Sequence, residues 1–149
     1  AKIAQAVAQM LTRVGIKTKV DTMPKNVYFG KASNLEYSFM LVGWASSTGE
    51  PSNPLRALLH TYDKASKAGS TNRGRYSNPE LDKMISDAIS APTREEWAKR
   101  TQEAIKVAMN DVGLIPLHFQ VNVWAMRKGL DYKARADEYT LIQDIVSAE

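Results

Sequence analysis

The chain has 149 residues, 44% of them hydrophobic, which suffices for one domain with a real core and is too short for two ordinary ones. Its 20 Lys and Arg are interspersed with 16 Asp and Glu, so the formal charge of +4 favours acidic partners only mildly. No apolar stretch approaches the roughly 18–20 residues of a membrane-spanning helix, no signal-peptide pattern is present, and the lack of cysteine excludes a disulfide framework or thiolate site without fixing the redox compartment. The chain is therefore expected to be soluble rather than membrane-spanning. Its start on Ala1, already inside an amphipathic pattern by Ile3, reads as a cut.

Ile3, Val7, Met10, Leu11 and Val14 recur at three- and four-residue steps and predict a helix, with Gly15 where a left-handed C-cap belongs. Ile16, Thr18 and Val20 then alternate with Lys17, Lys19 and Asp21, the period-two pattern of a strand with one wet face. Pro24 suits the first turn of a short helix reaching about Ser33, with Val27 and Tyr28 directed inward. The unbroken run from Ser38 to Gly43 reads as a strand buried on both faces. Helix, strand, helix, strand with short connections predicts an α/β fold, a mixed sheet flanked by helices.

That strand ends in Gly43, Trp44, Ala45, Ser46, Ser47 and Thr48, followed by Gly49, Glu50 and Pro51. The crevice beyond the carboxyl ends of strands is where open sheets bind ligands. Trp44 can offer a flat wall and the three hydroxyls can offer hydrogen bonds; the alternative is a core tryptophan followed by an ordinary turn.

Pro54 can open a short helix through Leu55, Leu58 and Leu59, after which the chain turns polar from about Thr61 to Tyr76. Lys64, Lys67, Arg73 and Arg75 sit in this stretch, either as a solvated basic loop or as a phosphate-binding one. Asn78 followed by Pro79 is a helix start, and Leu81, Met84, Ile85, Ala88 and Ile89 share one face. Thr93 with Glu96 forms a capping box that launches a long helix to about Val112, closed by Gly113. From Ile115 to Ala125 an extended segment puts Leu117, Phe119, Val121 and Val123 on one side and His118, Gln120 and Asn122 on the other. Tyr139 to Val146 is a candidate last strand.

The two histidines, His60 and His118, stand apart in sequence, and no G-x-S-x-G elbow surrounds Ser46 or Ser47, so a serine-dependent hydrolase is a weak alternative. Isolated histidines without clustered carboxylates give no zinc or calcium motif, and phosphate-cradling glycine loops are missing, so no metal or cofactor is expected. Arg73, Arg75 and Tyr76 combine cationic and stacking groups, which keeps a basic nucleic-acid-binding module as the second reading.

Four features in register, the helix to Gly15-Ile16 with its strand, Gly43-Trp44, Arg75-Tyr76-Ser77-Asn78-Pro79-Glu80, and Ile115-Pro116-Leu117 running to Trp124-Ala125-Met126-Arg127-Lys128-Gly129, resemble the C-terminal part of the family 5 (cluster C) extracellular solute-binding proteins of peptide, glutathione and nickel ABC importers. The resemblance implies a single fragment, 1–149, of the C-terminal lobe of a two-lobed bacterial periplasmic protein. Within it, residues 1–130 would form the lobe body and 131–149 a segment that returns to the N-terminal lobe. It implies closure of two lobes on a solute without catalysis, delivery to ABC permease subunits in the inner membrane, and no binding of nucleic acid. Peptide-binding members commonly carry an Asp shortly after the Gly-Trp pair to meet the ligand's α-ammonium; Ser47 stands at that position here, with Glu50 as a possible substitute. The run Ser47-Thr48-Gly49-Glu50 is similar to that of glutathione-binding relatives, which implies a small peptide or a glutathione-like solute. The implied ligand-binding set is Gly43, Trp44, Ala45, Ser46, Ser47, Thr48 and Glu50. Arg75 and Tyr76 would either reach an anionic end of the solute or lead structurally into the Asn78 helix.

Overall fold

The structure, a computed structural model, describes residues 2–148; Ala1 and Glu149, the ends of the expected fragment, lie outside the described residues. It comprises one unit that ends at Gly43 and a second that begins at Trp44.

In the first unit, α1 (Lys2–Arg13) terminates as its sequence predicts. Gly15 takes φ +90°, its N–H reaches the Thr12 carbonyl, and the Ile16 N–H reaches back to Leu11. These two bonds form a Schellman motif, which satisfies carbonyls that the helix end would leave orphaned. Helix α2 (Lys25–Ser33) follows, with Pro24 as its N-cap rather than inside the first turn. Tyr28 does turn inward: its ring stacks on Tyr37 at 5.3 Å, and its hydroxyl donates to the Leu41 carbonyl at 2.7 Å.

The second unit is organised around two helices, α4 (Pro79–Ile89) and α5 (Arg94–Asn110). Both start where the caps predict. The Asn78 side-chain oxygen accepts from the N–H groups of Glu80 and Leu81, and the Thr93 hydroxyl accepts from Glu96. The Glu96 carboxylate itself engages Arg100 one turn on. Leu81 and Ile85 on α4 are fully buried, as are Ala104 and Ala108 on α5. The two alanines, one turn apart, leave room for the branched side chains to sink between the helices. Upstream, α3 (Ser52–Pro54) continues into a π-helical turn, Leu55–Leu59, closed by a bond from the His60 N–H to the Leu55 carbonyl. This turn delivers Leu55 and Leu59 into the same core, with Tyr76 and Leu114 packed at its edge.

The polar stretch after Thr61 is ordered over this core rather than loose. Asn72, almost completely buried, donates to the carbonyls of His60 and Tyr76 and accepts from the Tyr76 N–H. Thr71 uses both its N–H and its hydroxyl on the Ala57 carbonyl, and Gly69 donates to Arg56.

Of the expected mixed sheet flanked by helices, the described residues show the helices and one small sheet. The described chain is mostly helical, and its strands are β1 (Leu130–Tyr132) and β2 (Ile145–Ser147), paired antiparallel with Leu130 opposite Ser147 and Tyr132 opposite Ile145. Segments 16–20, 38–43 and 115–125 are extended but lie in no ladder. Phe39 is 62% exposed, and Phe119, Val121 and Val123 are 100%, 83% and 85% exposed. A strand buried on both faces needs a hydrogen-bonded neighbour along each edge and a layer over each face. No described residue supplies either to these segments. Among the described residues no helix is long and apolar enough to cross a membrane.

Two substitutions test this core in opposite directions. At Gly69, with φ +60°, an added Cβ would overlap the carbonyl oxygen of His60 and the peptide nitrogen of Tyr62, both backbone atoms that cannot swing aside. Gly69→Ala should lower unfolding free energy by at least about 2 kcal/mol, since it adds a steric clash to the cost of a left-handed alanine. Thr101 on α5 is buried with a hydroxyl that has no hydrogen-bond partner among the described residues. Thr101→Val keeps the shape and removes the orphan, so it should raise stability by about 1 kcal/mol. Denaturant unfolding of each variant measures both values, and a neutral Gly69→Ala would refute the loop's fixed geometry.

Candidate ligand-binding site

Gly43 closes the first unit and Trp44 opens the second. Trp44 is not sealed in a core: it is 40% exposed, and its indole N–H donates to the side-chain oxygen of Asn53 at 3.2 Å. That bond fixes one edge of the ring. Ala45 is exposed beside it.

The hydroxyl run forms a turn. The Gly49 N–H donates to the Ser46 carbonyl, and Gly49 adopts φ +69°, which its lack of a side chain permits. The Ser46 hydroxyl donates to the Glu50 carbonyl at 2.9 Å and lies 3.3 Å from that of Thr48. Glu50 is occupied with the chain that follows, its carboxylate accepting from the Ser52 N–H at 2.9 Å at the start of α3. Partial burial works against its ionisation, but hydrogen bonds from Ser52, Asn53 and Thr48 prevail and hold its carboxyl below the ordinary value. Ser47 is exposed, and its hydroxyl makes no hydrogen bond to a described residue, which leaves it free to meet a solute.

Arg75 and Tyr76 are placed differently. Arg75, at φ +55°, lays its guanidinium over the Tyr62 ring at 4.0 Å. Tyr76 donates its hydroxyl to Asp111 at 2.6 Å, and Asn78 donates to the same carboxylate oxygen at 3.1 Å. Desolvation and the neighbouring Asp111 push the Tyr76 phenol up, while the bonds from Tyr76 and Asn78 hold Asp111 down. One carboxylate thus ties the end of α5 to the start of α4.

The concavity at this site lies beside the hydroxyl turn. An open hollow of about 710 Å³, wholly within the second unit, is lined by Ser47, Thr48 and Gly49 on one side and by residues of the 133–146 segment on the other. Trp44, Arg75 and Tyr76 are not among its lining residues. The charged groups that line it, Lys133, Arg135, Asp137 and Asp144, escaped the sequence reading. Their signal was present in Lys133-Ala134-Arg135-Ala136-Asp137, where every second residue is charged and the residues between are alanines, so an extended chain presents the three charges on one side. Arg135 grips Asp137 through Nε and Nη2, and its Nη1 lies 3.4 Å from Asp144. The Asp137 contacts hold the guanidinium charged to unusually high pH, and Arg135 in turn lowers the Asp137 carboxyl. Among the described residues no group of three or more His, Asp or Glu is arranged to hold a metal ion.

No protein-family model and no solved structure matches the chain. Curated relatives do. The chain is similar to heme-binding protein A of Haemophilus influenzae (28% identical, over 80% of this chain and 21% of the relative). It is likewise similar to the probable di/tripeptide-binding protein 5 of Pseudomonas aeruginosa (29%, over 76% and 21%) and to the peptide transport periplasmic protein SapA of Salmonella typhimurium (24%, over 87% and 24%). The chain spans about a fifth of the length of the curated relatives it matches. These distant homologues are family 5 solute-binding proteins.

The lowered carboxyls of Glu50, Asp63, Asp111 and Asp137 set the response to acid. A carboxyl whose folded pKa lies below its unfolded one stabilises the fold fully above the unfolded value and loses that contribution as pH falls through the folded value. The melting temperature should therefore hold steady from pH 7 to about 5 and fall below about 4.5, near the ordinary carboxyl range. Asp111→Asn should melt lower at pH 7 and show a shallower acid decline in a calorimetric pH series.

Proposed function

We propose that this distant homologue of family 5 solute-binding proteins is part of the C-terminal lobe of a periplasmic protein that captures a small peptide or peptide-like solute, glutathione-like compounds included. The protein would hand that solute to the permease subunits of an ABC importer in the inner membrane. The observation that carries the reading is the hollow beside Ser47, Thr48 and Gly49, where free hydroxyl and charged groups of both signs converge. Peptides present matching groups: amides for the hydroxyls and charged termini for the ions. One relative's name specifies heme. The hollow favours peptides instead, because its lining includes no His, Met, Cys or Tyr to hold iron.

In the longer protein the extended segments 16–20, 38–43 and 115–125 become strands of a mixed sheet flanked by helices. Their uncovered apolar side chains, and relatives about five times as long as the matched region, support this. Residues 1–130 then form the lobe body, and 131–149 run toward the N-terminal lobe, so that the hollow opens onto the cleft where the lobes close. Ser47 and Thr48 form one wall of the hollow, and Gly43, Trp44, Ala45, Ser46 and Glu50 belong to the stretch that carries it, with Glu50 holding the turn in shape. Arg75 and Tyr76, held by Tyr62 and Asp111, serve the lead into the Asn78 helix rather than the solute. The protein acts by binding alone: Ser46 and Ser47 have no histidine among their hydrogen-bond partners, and His60 is turned to Thr61 and Asp82. The nucleic-acid reading is weakened by the engagement of Arg75 with Tyr62 and of Tyr76 with Asp111.

Isothermal titration of the full-length protein with Ala-Ala, tri-alanine and glutathione tests the reading. Trp44→Ala and Ser47→Ala should each weaken the bound solute about tenfold, equivalent to about 1.4 kcal/mol. Unchanged affinity in both variants would refute the site. The 149-residue chain alone should bind at least about tenfold more weakly than the full-length protein, because one jaw supplies only part of the contacts.

A further inference from the structure

The far wall of the hollow is a loop, residues 133–139, with little to bury: Lys133, Ala134, Arg135 and Ala136 are all exposed. Apolar packing does not hold such a segment, so its shape rests on bonds at its neck. The β1–β2 ladder brings the chain in, with Tyr132 opposite Ile145. From there the Tyr132 hydroxyl crosses the neck and donates to the Tyr139 carbonyl at 2.7 Å. The Trp124 indole N–H donates to the Thr140 hydroxyl at 2.8 Å, and its ring lies 5.7 Å from that of Tyr132. Asp137 accepts from the Tyr139 N–H at 3.2 Å, so the N–H and the carbonyl of Tyr139 are both bonded to side chains while its own ring is 60% exposed. Next to it Glu138 sits at φ +64°, a left-handed conformation that a residue with a side chain keeps only where its surroundings impose it. Trp124, Tyr132, Tyr139 and Thr140 are not among the residues that line the hollow.

We infer that Trp124 and Tyr132 are positioning residues for the solute site: through Thr140 and Tyr139 they clasp the 133–139 loop in the arrangement that gives the hollow its far wall. The inference rests on the solute-binding reading above and goes beyond it by making affinity depend on side chains that touch no solute. An unclasped loop gains backbone freedom at every residue, so the arrangement facing Ser47 becomes one of many. Solute then meets only the fraction of molecules that hold this arrangement, and the apparent affinity falls by that fraction. Each neutral hydrogen bond shifts such a balance about fivefold, so with both clasp bonds removed the open forms predominate.

The test compares the full-length protein as wild type, as the double variant Tyr132→Phe with Thr140→Val, and as Thr140→Ser, which keeps the hydroxyl. Two quantities are measured: the rate of tryptic cleavage after Lys133 and Arg135, which needs no solute, and the association and dissociation rates of Ala-Ala and glutathione. The double variant should be cut in this loop about tenfold faster than wild type, with cleavage elsewhere unchanged. Its affinity for the bound probe should fall about tenfold, all of it in the association rate, because the contacts made once the solute is bound are the same. Thr140→Ser should match wild type in both measurements. Faster cleavage with unchanged affinity means that the clasp does not serve the site, and unchanged cleavage means that these bonds do not hold the loop; either result overturns the inference. Faster cleavage throughout the chain marks a damaged fold and overturns it as well. If wild type binds neither probe, peptide capture fails and the positioning role falls with it, whereas a wild type that binds and a double variant that binds equally well leave peptide capture standing and remove only the clasp.

Discussion

The second unit depends on the contact between Leu81 and Ile85 of α4 and Ala104 and Ala108 of α5. Each of the two branched side chains gains roughly 1.5–3 kcal/mol from full burial, and the alanines make that burial possible by keeping the facing surface shallow. Everything else in the unit is attached to this pair. The π-helical turn carries Leu55 and Leu59, one turn apart, into the same core. Tyr76 and Gly113 meet at the edge, where an added Cβ on the glycine would press on the Leu59 side chain and the Tyr76 ring. The glycine that ends the long helix is thus also a packing residue.

Polar groups then convert this apolar pair into a fixed frame. Asn72 meets three backbone groups from inside the protein, which makes a sixteen-residue polar stretch behave as a lid on the core instead of a loose loop. Asp111 connects the ends of α4 and α5 through Tyr76 and Asn78. Cations that look free in the sequence are consumed in the same work: Arg56 caps the Ser66 carbonyl and Arg75 lies on Tyr62. A basic composition is weak evidence for an anionic partner when the cations have internal partners of this kind.

Local chemistry was legible in the sequence, and long-range partnership was not. Gly15, Asn78-Pro79 and Thr93 each marked a helix end, because a cap is decided by residues within one turn of it. The runs at 38–43 and 115–125 have strand-like patterns, yet a pattern specifies only that a residue could pair and not what it pairs with. Phe119 and Val121 are the clearest instances: correct in alternation, and exposed. The site divides in the same way. Ser47 and Thr48 stood out as hydroxyls after an apolar run, while Lys133, Arg135, Asp137 and Asp144 face them only through the fold of the C-terminal segment. Nothing near Ser47 could announce them, although the alternating charges of 133–137 could have been read as one face.

The unequal commitment of these charges has a consequence for how such a hollow works. An ion pair as closely held as Arg135–Asp137 changes little when a solute arrives, so it contributes shape and a fixed local field rather than a new bond. Lys133 and Asp144 are not held in this way: Lys133 forms no ion pair with a described residue, and Asp144 meets Arg135 only at 3.4 Å. A charge so loosely held keeps its water until an opposite charge replaces it, so any rearrangement at this hollow falls on these two side chains rather than on the Arg135–Asp137 pair.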